Sequence, residues 1–84
     1  MASEGKLIGK ITHYFGNIGV AVIKLNDTLK KGEEIRIVGG ETDFNQIVKS
    51  IEKDHKKIKQ AKKKDEAGFK VDKKVREGYK VYKV

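Results

Sequence analysis

The chain has no cysteine, no proline and no tryptophan among its 84 residues, and it has only two arginines. The absence of cysteine excludes disulfides and thiolate metal sites, so packing and hydrogen bonding must hold the fold. A chain this short makes one domain, which buries about 60% of its exposable surface on folding. We expect residues 1–5 to be a disordered arm and residues 6–84 to be a single domain.

Long apolar segments are also lacking. The longest apolar run covers residues 19–23, and nothing after Met1 has the length of a signal peptide. The sequence therefore predicts a cytoplasmic protein that does not span a membrane.

Motifs for nucleotide binding and catalysis are missing too. No Gly-x-x-x-x-Gly-Lys-[Ser/Thr] loop occurs, which excludes GTP hydrolysis by this chain. His13 and His55 are the two imidazoles, and their spacing matches no metal motif. Ser3 and Ser50 lie in no nucleophile-elbow sequence. We therefore predict no enzyme activity, no metal and no cofactor.

Positive charge is what the chain has in excess. Twenty basic residues against twelve acidic ones give a formal charge of +8, which favours a polyanionic partner, with nucleic acid as the first candidate. A heat-adapted surface with ion-pair networks is the alternative. The excess is concentrated in residues 49–64, where Glu52 and Asp54 are the only acids beside eight lysines: Lys49, Lys53, Lys56, Lys57, Lys59, Lys62, Lys63 and Lys64.

These lysines form the predicted binding site. A lysine contacts phosphate as a point charge and reads no base, so binding should fall with salt and show little sequence preference. Base stacking needs an exposed ring, and Tyr14 is the best candidate among the six aromatic residues. A solvated loop that keeps the protein soluble is the alternative for the lysine segment.

Both ends of the chain have β-strand patterns. Residues 6–15 and 33–38 mix apolar and polar positions, and in the second segment Ile35 and Ile37 point to one side. Residues 20–25 form a nearly continuous β-branched run, which predicts a strand covered on both sides or bent at a barrel corner. Strand spacing returns at residues 69–75 and 81–84.

The middle of the chain has a different period. Ile47, Ile51, His55, Ile58 and Ala61 recur at spacings of four, four, three and three, which is the pattern of an amphipathic helix. Periodicity alone therefore predicts a helix here.

Several motifs occur in the order of a known module. Gly9-Lys-Ile-Thr, Leu29-x-x-Gly32-x-x-Ile35-x-Ile37, Asp65-x-x-Gly68 and Val75-x-x-Gly78-x-x-Val81 resemble the second domain of elongation factor Tu. Residues 11–15 and 20–25 also resemble short free-standing elongation-factor-like barrels and the barrel appended to collagenase-like peptidases. The chain departs from the family at Lys64, where glycine usually precedes Asp65, and at Ala67, where valine commonly precedes Gly68.

The resemblance implies an all-β fold: a six-stranded antiparallel closed or nearly closed β-barrel of the translation-protein domain 2 type. It replaces the predicted helix with a strand at residues 46–53 and a long loop at residues 54–64, held to the barrel by Ile58 and Ala61. The implied function is a non-catalytic, translation-associated module that contacts structured RNA or the ribosome through the lysines. The competing interpretation is a protein-interaction adaptor that uses a barrel edge or the turn at residues 16–19.

Overall fold

A computed structural model describes residues 5–40, 42–54 and 56–84. The described residues form ten β-strands and no helix, so the chain is all-β as predicted. Residues 1–4 of the arm predicted at residues 1–5, together with Glu41 and His55, lie outside the described residues. The strands are β1 (Lys6–Phe15), β2 (Val20–Leu25), β3 (Leu29–Lys30), β4 (Glu34–Gly39), β5 (Thr42–Ile47), β6 (Ile51–Lys53), β7 (Lys56–Ile58), β8 (Gln60–Ala61), β9 (Glu66–Lys70) and β10 (Lys80–Lys83).

Eight of these strands make one sheet in the order β5-β4-β10-β1-β2-β9-β6-β7, and β3 pairs with β8 in a second, small sheet. All the strand pairs are antiparallel. The eight-stranded sheet ends at β5 on one side and at β7 on the other, so strand pairing does not close it. The prediction of six strands is therefore wrong in number, and a barrel closed by strand pairing is not what the described residues show.

Side chains join β5, at one end of this sheet, to β9, which lies third from the other end. Gln46 on β5 is 5% exposed, and its Nε2 donates to the carbonyl oxygen of Lys70 on β9 at 2.8 Å. Its Oε1 accepts from the amide of Asp72 at 2.8 Å. Lys49 Nζ donates to the Asp72 carboxylate at 2.9 Å beside it. The strongly curled sheet thus encloses its core without a continuous ladder of backbone hydrogen bonds.

The core lies on the inner face of the curl. Ile35 and Ile37 are fully buried, which confirms the predicted alternation on β4. On β2 the inner positions are Ala21, Ile23 and Leu25, while Val20 and Val22 remain partly exposed on the outer face. The expectation that both sides of β2 are covered is therefore not met.

The middle of the chain folds as short strands, so the helix predicted from periodicity is wrong. Ile51 and Ala61 are buried and Ile58 is half-buried, whereas Ile47 is 47% exposed. The apparent helical period arises because β6, β7 and β8 are separated by turns, and each strand contributes one apolar residue to the core. The single strand predicted at residues 46–53 is interrupted, since β5 ends at Ile47 and β6 begins at Ile51.

Replacing Gln46 with Ala should destabilise the fold strongly. The change leaves the partly buried Lys70 carbonyl and Asp72 amide without their partner, and each unsatisfied group is costly. We expect a loss of about 2–4 kcal/mol in the free energy of unfolding, measured by urea denaturation. Asn45→Ala is the matched control, because Asn45 is exposed and its amide donates to an exposed carboxylate of Glu34. Equal losses in the two variants would contradict the bridging role of Gln46.

Replacing Lys64 with Gly should stabilise the fold. Lys64 has a φ of +75°, in the left-handed region that glycine adopts without steric cost. Relief of this strain should exceed the extra entropy that glycine loses on folding, and we expect a gain of about 0.5–1 kcal/mol. Lys63→Gly is the control, because the φ of Lys63 is not positive, and it should destabilise by a similar amount. Thermal unfolding of both variants measures the difference, and a destabilised Lys64→Gly protein would refute it.

Candidate functional site

The eight lysines predicted from the sequence divide into two that are ion-paired and six that are exposed without an ion pair among the described residues. Lys49 is paired with Asp72 and Lys53 with Asp65, each at 2.9 Å. The other six are exposed and lie on three different features: the edge strand β7, the residue after it, and the turn that follows β8. These six are Lys56, Lys57, Lys59, Lys62, Lys63 and Lys64.

The turn after β8 is held by Asp65. The amide of Lys62 donates to Asp65 Oδ2 at 3.0 Å, and the amide of Asp65 donates to the Lys62 carbonyl at 3.0 Å. Lys53 Nζ donates to Asp65 Oδ1 at 2.9 Å from the neighbouring hairpin. The hydrogen bond from the Lys62 amide, followed by that from Lys53, lowers the pKa of Asp65, and the same contact with Asp65 raises the pKa of Lys53. Part of the predicted binding segment therefore has a structural role.

Tyr14 is not brought together with these lysines. Its side chain is partly buried and packs against the core. It lines a separate depression with Lys74, Val75, Arg76 and Glu77. Binding of a polyanion by the eight lysines and Tyr14 stays a prediction.

The structure instead reveals an apolar face on the outside of the sheet. Phe15 lies opposite Val20, and Val22 lies opposite Gly68 on β9. Directly opposite residues of an antiparallel pair lie on the same side of the sheet, so these positions are contiguous. Ile18, in the turn between β1 and β2, completes the group. We call Phe15, Ile18, Val20, Val22 and Gly68 the apolar face.

Exposure and shape make this face unusual for the chain. Phe15 is 47% exposed and Ile18 is 58% exposed. The five residues and Glu52 line a shallow depression of about 330 Å³. Gly68 keeps the depression open, because a Cβ at this position would lie 3.3 Å from Val20 Cγ1. A solvent-exposed apolar surface of this kind is suited to contact with another apolar surface.

Polar and charged groups surround the apolar face. A second depression continues from it past Glu52 to Lys57, Ser50 and Lys70. On the other side, the ring of His13 stacks on Phe15 with 6.3 Å between ring centroids, and His13 Nδ1 lies 3.7 Å from Glu77 Oε2. The arrangement is an apolar centre with a charged rim.

A β-bulge explains why Phe15 faces outward. The register of β1 against β2 shifts between Ile11 and His13. Strict alternation would place Phe15 on the same side as Ile11, which is 1% exposed and lies in the core. A bulge re-aims the residues that follow it, so Tyr14 packs inward and Phe15 points outward.

The sequence analysis did not identify this face as a site. The signal present in the sequence was the β-branched run at residues 20–25, because a strand with one buried face needs apolar residues only at alternate positions. Val20 and Val22 are the apolar residues of this run that the core does not require. The bulge has no comparable sequence signal, and the turn at residues 16–19 is a predicted contact only in the adaptor interpretation.

The structure shows no assembly of groups for metal chemistry among the described residues. No three His, Asp or Glu side chains come together there as a metal-binding group. No helix long and apolar enough to cross a membrane occurs in the part of the chain that the structure describes.

Comparison with known proteins finds sequence similarity to part of a protease. No protein-family model matches it. An uncharacterized protease of Methanocaldococcus jannaschii is 38% identical over 76 residues, which cover 89% of this chain and 19% of the protease. The chain thus spans about a fifth of the length of the curated relative it matches.

Two solved structures have the same fold. Both are crystal structures of the C-terminal domain of a Geobacillus thermoleovorans protein described as a U32 peptidase, one of them as the selenomethionine variant. Each has a TM-score of 0.87 and 21% sequence identity with this chain. The first match covers 94% of this chain and 92% of the solved domain. The match to the selenomethionine variant covers 93% of this chain and 99% of that domain.

These findings correct the function predicted from the sequence. The matched proteins are a protease and a peptidase domain, so a translation-associated module that binds RNA or the ribosome is the wrong interpretation. The resemblance to elongation factor Tu is not supported. The resemblance to the barrel appended to collagenase-like peptidases agrees in kind with both matches.

The stability of the fold in acid should depend on Asp65. Its pKa is lowered in the folded protein from an ordinary value of 3.8, so its stabilising contribution is present above that value and is lost as the pH falls through the folded pKa. We expect Asp65→Asn to be less stable than the natural protein at neutral pH. The difference between the two should shrink as the pH falls below 3.8. Urea midpoints measured across this range test the prediction, and a constant difference would contradict it.

Proposed function

We propose that the chain is a non-catalytic protein-interaction domain that docks to a peptidase through the apolar face. The observation that carries the proposal is the exposure of Phe15 and Ile18 beside a depression floored by Val20, Val22 and Gly68. Removing apolar surface from water contributes about 25 cal/mol per Å². Two large side chains that remain wetted in the free domain are therefore available to stabilise a complex.

The anatomy of the face fits a protein interface. Such interfaces have an apolar centre with aromatic anchors and a polar, solvated rim. Here Phe15 and Ile18 supply the centre, and Glu52, Lys57 and Lys70 supply the rim. The adaptor interpretation from the sequence, with its contact at the turn of residues 16–19, agrees with this location.

The peptidase partner is inferred from the matched proteins. The M. jannaschii relative is named as a protease, and the solved domains are the C-terminal part of a peptidase. Because the chain covers only a fifth of the protease, the remaining length of such a protein offers the surface that the apolar face would contact.

The proposal assigns a scaffolding role to the curled sheet. Gln46 and Lys49 tie the β5 end of the sheet to Lys70 and Asp72 at the end of β9, which supports a nearly closed barrel as the working form of the domain. A rigid curl keeps Phe15 and Val20 in fixed positions. Preorganisation of this kind reduces the entropy lost on binding.

Serine substitutions at Phe15 and Ile18 should weaken binding to a peptidase. The assay immobilises the chain and measures, by surface plasmon resonance, the binding of the M. jannaschii protease lacking its matched segment. Circular dichroism establishes that this shortened protease is folded. Each substitution removes an apolar anchor, and we expect the dissociation constant to rise by about tenfold or more.

Ile47→Ser is the matched control. Ile47 is 47% exposed, as Phe15 is, but it lines neither the depression of the apolar face nor the one that continues from it. Its substitution should change the dissociation constant by less than about twofold, in keeping with a residue outside the interface. Equal effects of the two changes, or no binding by the natural chain, would refute the proposed docking face.

A further inference from the structure

Three lysines stand side by side across the outer face of the sheet. Lys10 on β1 lies directly opposite Lys80 on β10, and it also lies directly opposite Lys24 on β2. All three are exposed. We call them the lysine row. Directly opposite residues have Cβ atoms about 4.5–5.5 Å apart, and like charges in that position repel. Two repulsive pairs thus lie within about 10 Å.

The sheet does not neutralise this charge. Other lysines of the sheet have acidic partners, for example Lys6 with Asp27 at 2.6 Å and Lys83 with Glu33 at 3.4 Å. Among the described residues, no member of the lysine row has a carboxylate within ion-pair distance. The three ammonium groups of the row therefore have no direct ionic partner among the described residues.

The nearest acidic residue in the row's register is held elsewhere. Glu66 on β9 lies directly opposite Lys24. Its Oε2 accepts from Thr12 Oγ1 at 3.1 Å, and it forms no ion pair with Lys24. The hydroxyl leaves the Glu66 carboxylate charged, so the positive excess of the row is greatest at Lys10 and Lys80, farther along the register from Glu66.

The surface between the lysines is concave and polar. Lys10, Lys24, Thr12 and Asn26 line a depression of about 240 Å³. No aromatic ring belongs to this lining, so it has no platform on which a nucleic-acid base could stack. Ammonium, hydroxyl and amide groups are suited to carboxylates and to the backbone of a peptide.

We propose that the lysine row binds an acidic segment of polypeptide. The inference rests on the proposed function only in taking the partner to be a protein. An extended segment presents a side chain to one side about every 6.8 Å, so two of its carboxylates reach the row together. Lys24 lies two residues from Val22 on the same face of β2, which places the row beside the apolar face. An acidic segment next to an apolar anchor of the partner would engage both surfaces.

A peptide titration tests the assignment on the full chain. The probe is a fluorescein-labelled peptide of Glu-Gly repeats, with the corresponding Gln-Gly peptide as its uncharged counterpart. The variant K10Q/K24Q/K80Q removes the row. K56Q/K59Q/K63Q is the matched control, because it removes three exposed lysines of the segment predicted from the sequence and leaves the same net charge.

We expect the Glu-Gly peptide to bind and the Gln-Gly peptide not to bind, with affinity that falls as salt is raised. The row variant should weaken binding by about tenfold, since three lysine–carboxylate contacts are lost, while the control should weaken it by less than about threefold. The row variant should also unfold at a temperature no lower than the natural protein, because two repulsive pairs have been removed.

Three results would overturn the inference. These are equal losses in the row variant and the control, no binding of the Glu-Gly peptide at low salt, and tighter binding of a single-stranded oligonucleotide of equal charge through the same lysines. The docking assay separates this inference from the proposed function. If Phe15→Ser abolishes binding of the shortened protease while the row variant still binds the Glu-Gly peptide, only the lysine row assignment fails.

Discussion

The side chain of Gln46 makes the contact on which the shape of the domain depends. Strand pairing alone leaves an open sheet that ends at β5 and β7. The buried amide donates to Lys70 and accepts from Asp72, and it thereby fixes the curl that the ladder does not close. A buried amide contributes in this way only when both its polar ends are paired, as they are here. With the curl fixed, the inner face becomes a single core, and binding is left to the outer face.

Two surfaces that offer different kinds of interaction, one apolar and one electrostatic, lie next to each other on that outer face. The apolar face would stabilise a complex by removing Phe15 and Ile18 from water, and this contribution to binding depends little on salt. The lysine row would contribute to binding through electrostatic attraction. This attraction is screened by salt and acts over a longer range than apolar contact. A partner that carries an apolar anchor beside acidic residues would satisfy both surfaces. Either surface alone selects a partner less strictly than the two together.

The sequence predicted those parts of the fold that local rules determine. The bounds of β1 and β2 were predicted correctly because glycine-containing turns and apolar patterns mark them within a few residues. The structure of the middle of the chain was not predicted correctly, because successive short strands place Ile51, Ile58 and Ala61 at helical spacing. Only pairing with distant strands distinguishes the two structures. The candidate site was missed for a related reason: the bulge after Ile11 turns Phe15 outward, and a bulge depends on the register against β2.

Total charge was a poor guide to function because it does not say where the charge lies. The segment at residues 49–64 has the greatest excess of lysine in the sequence, yet Lys49 and Lys53 are paired with Asp72 and Asp65 in the fold. The lysine row is invisible in the sequence, since its three members are separated by 14 and 56 positions and meet only through strand pairing. Repulsion between opposite lysines lowers stability, and such a cost is retained where function requires it. The arrangement of charge across strands, which the net charge does not reveal, therefore indicates where an acidic partner would bind.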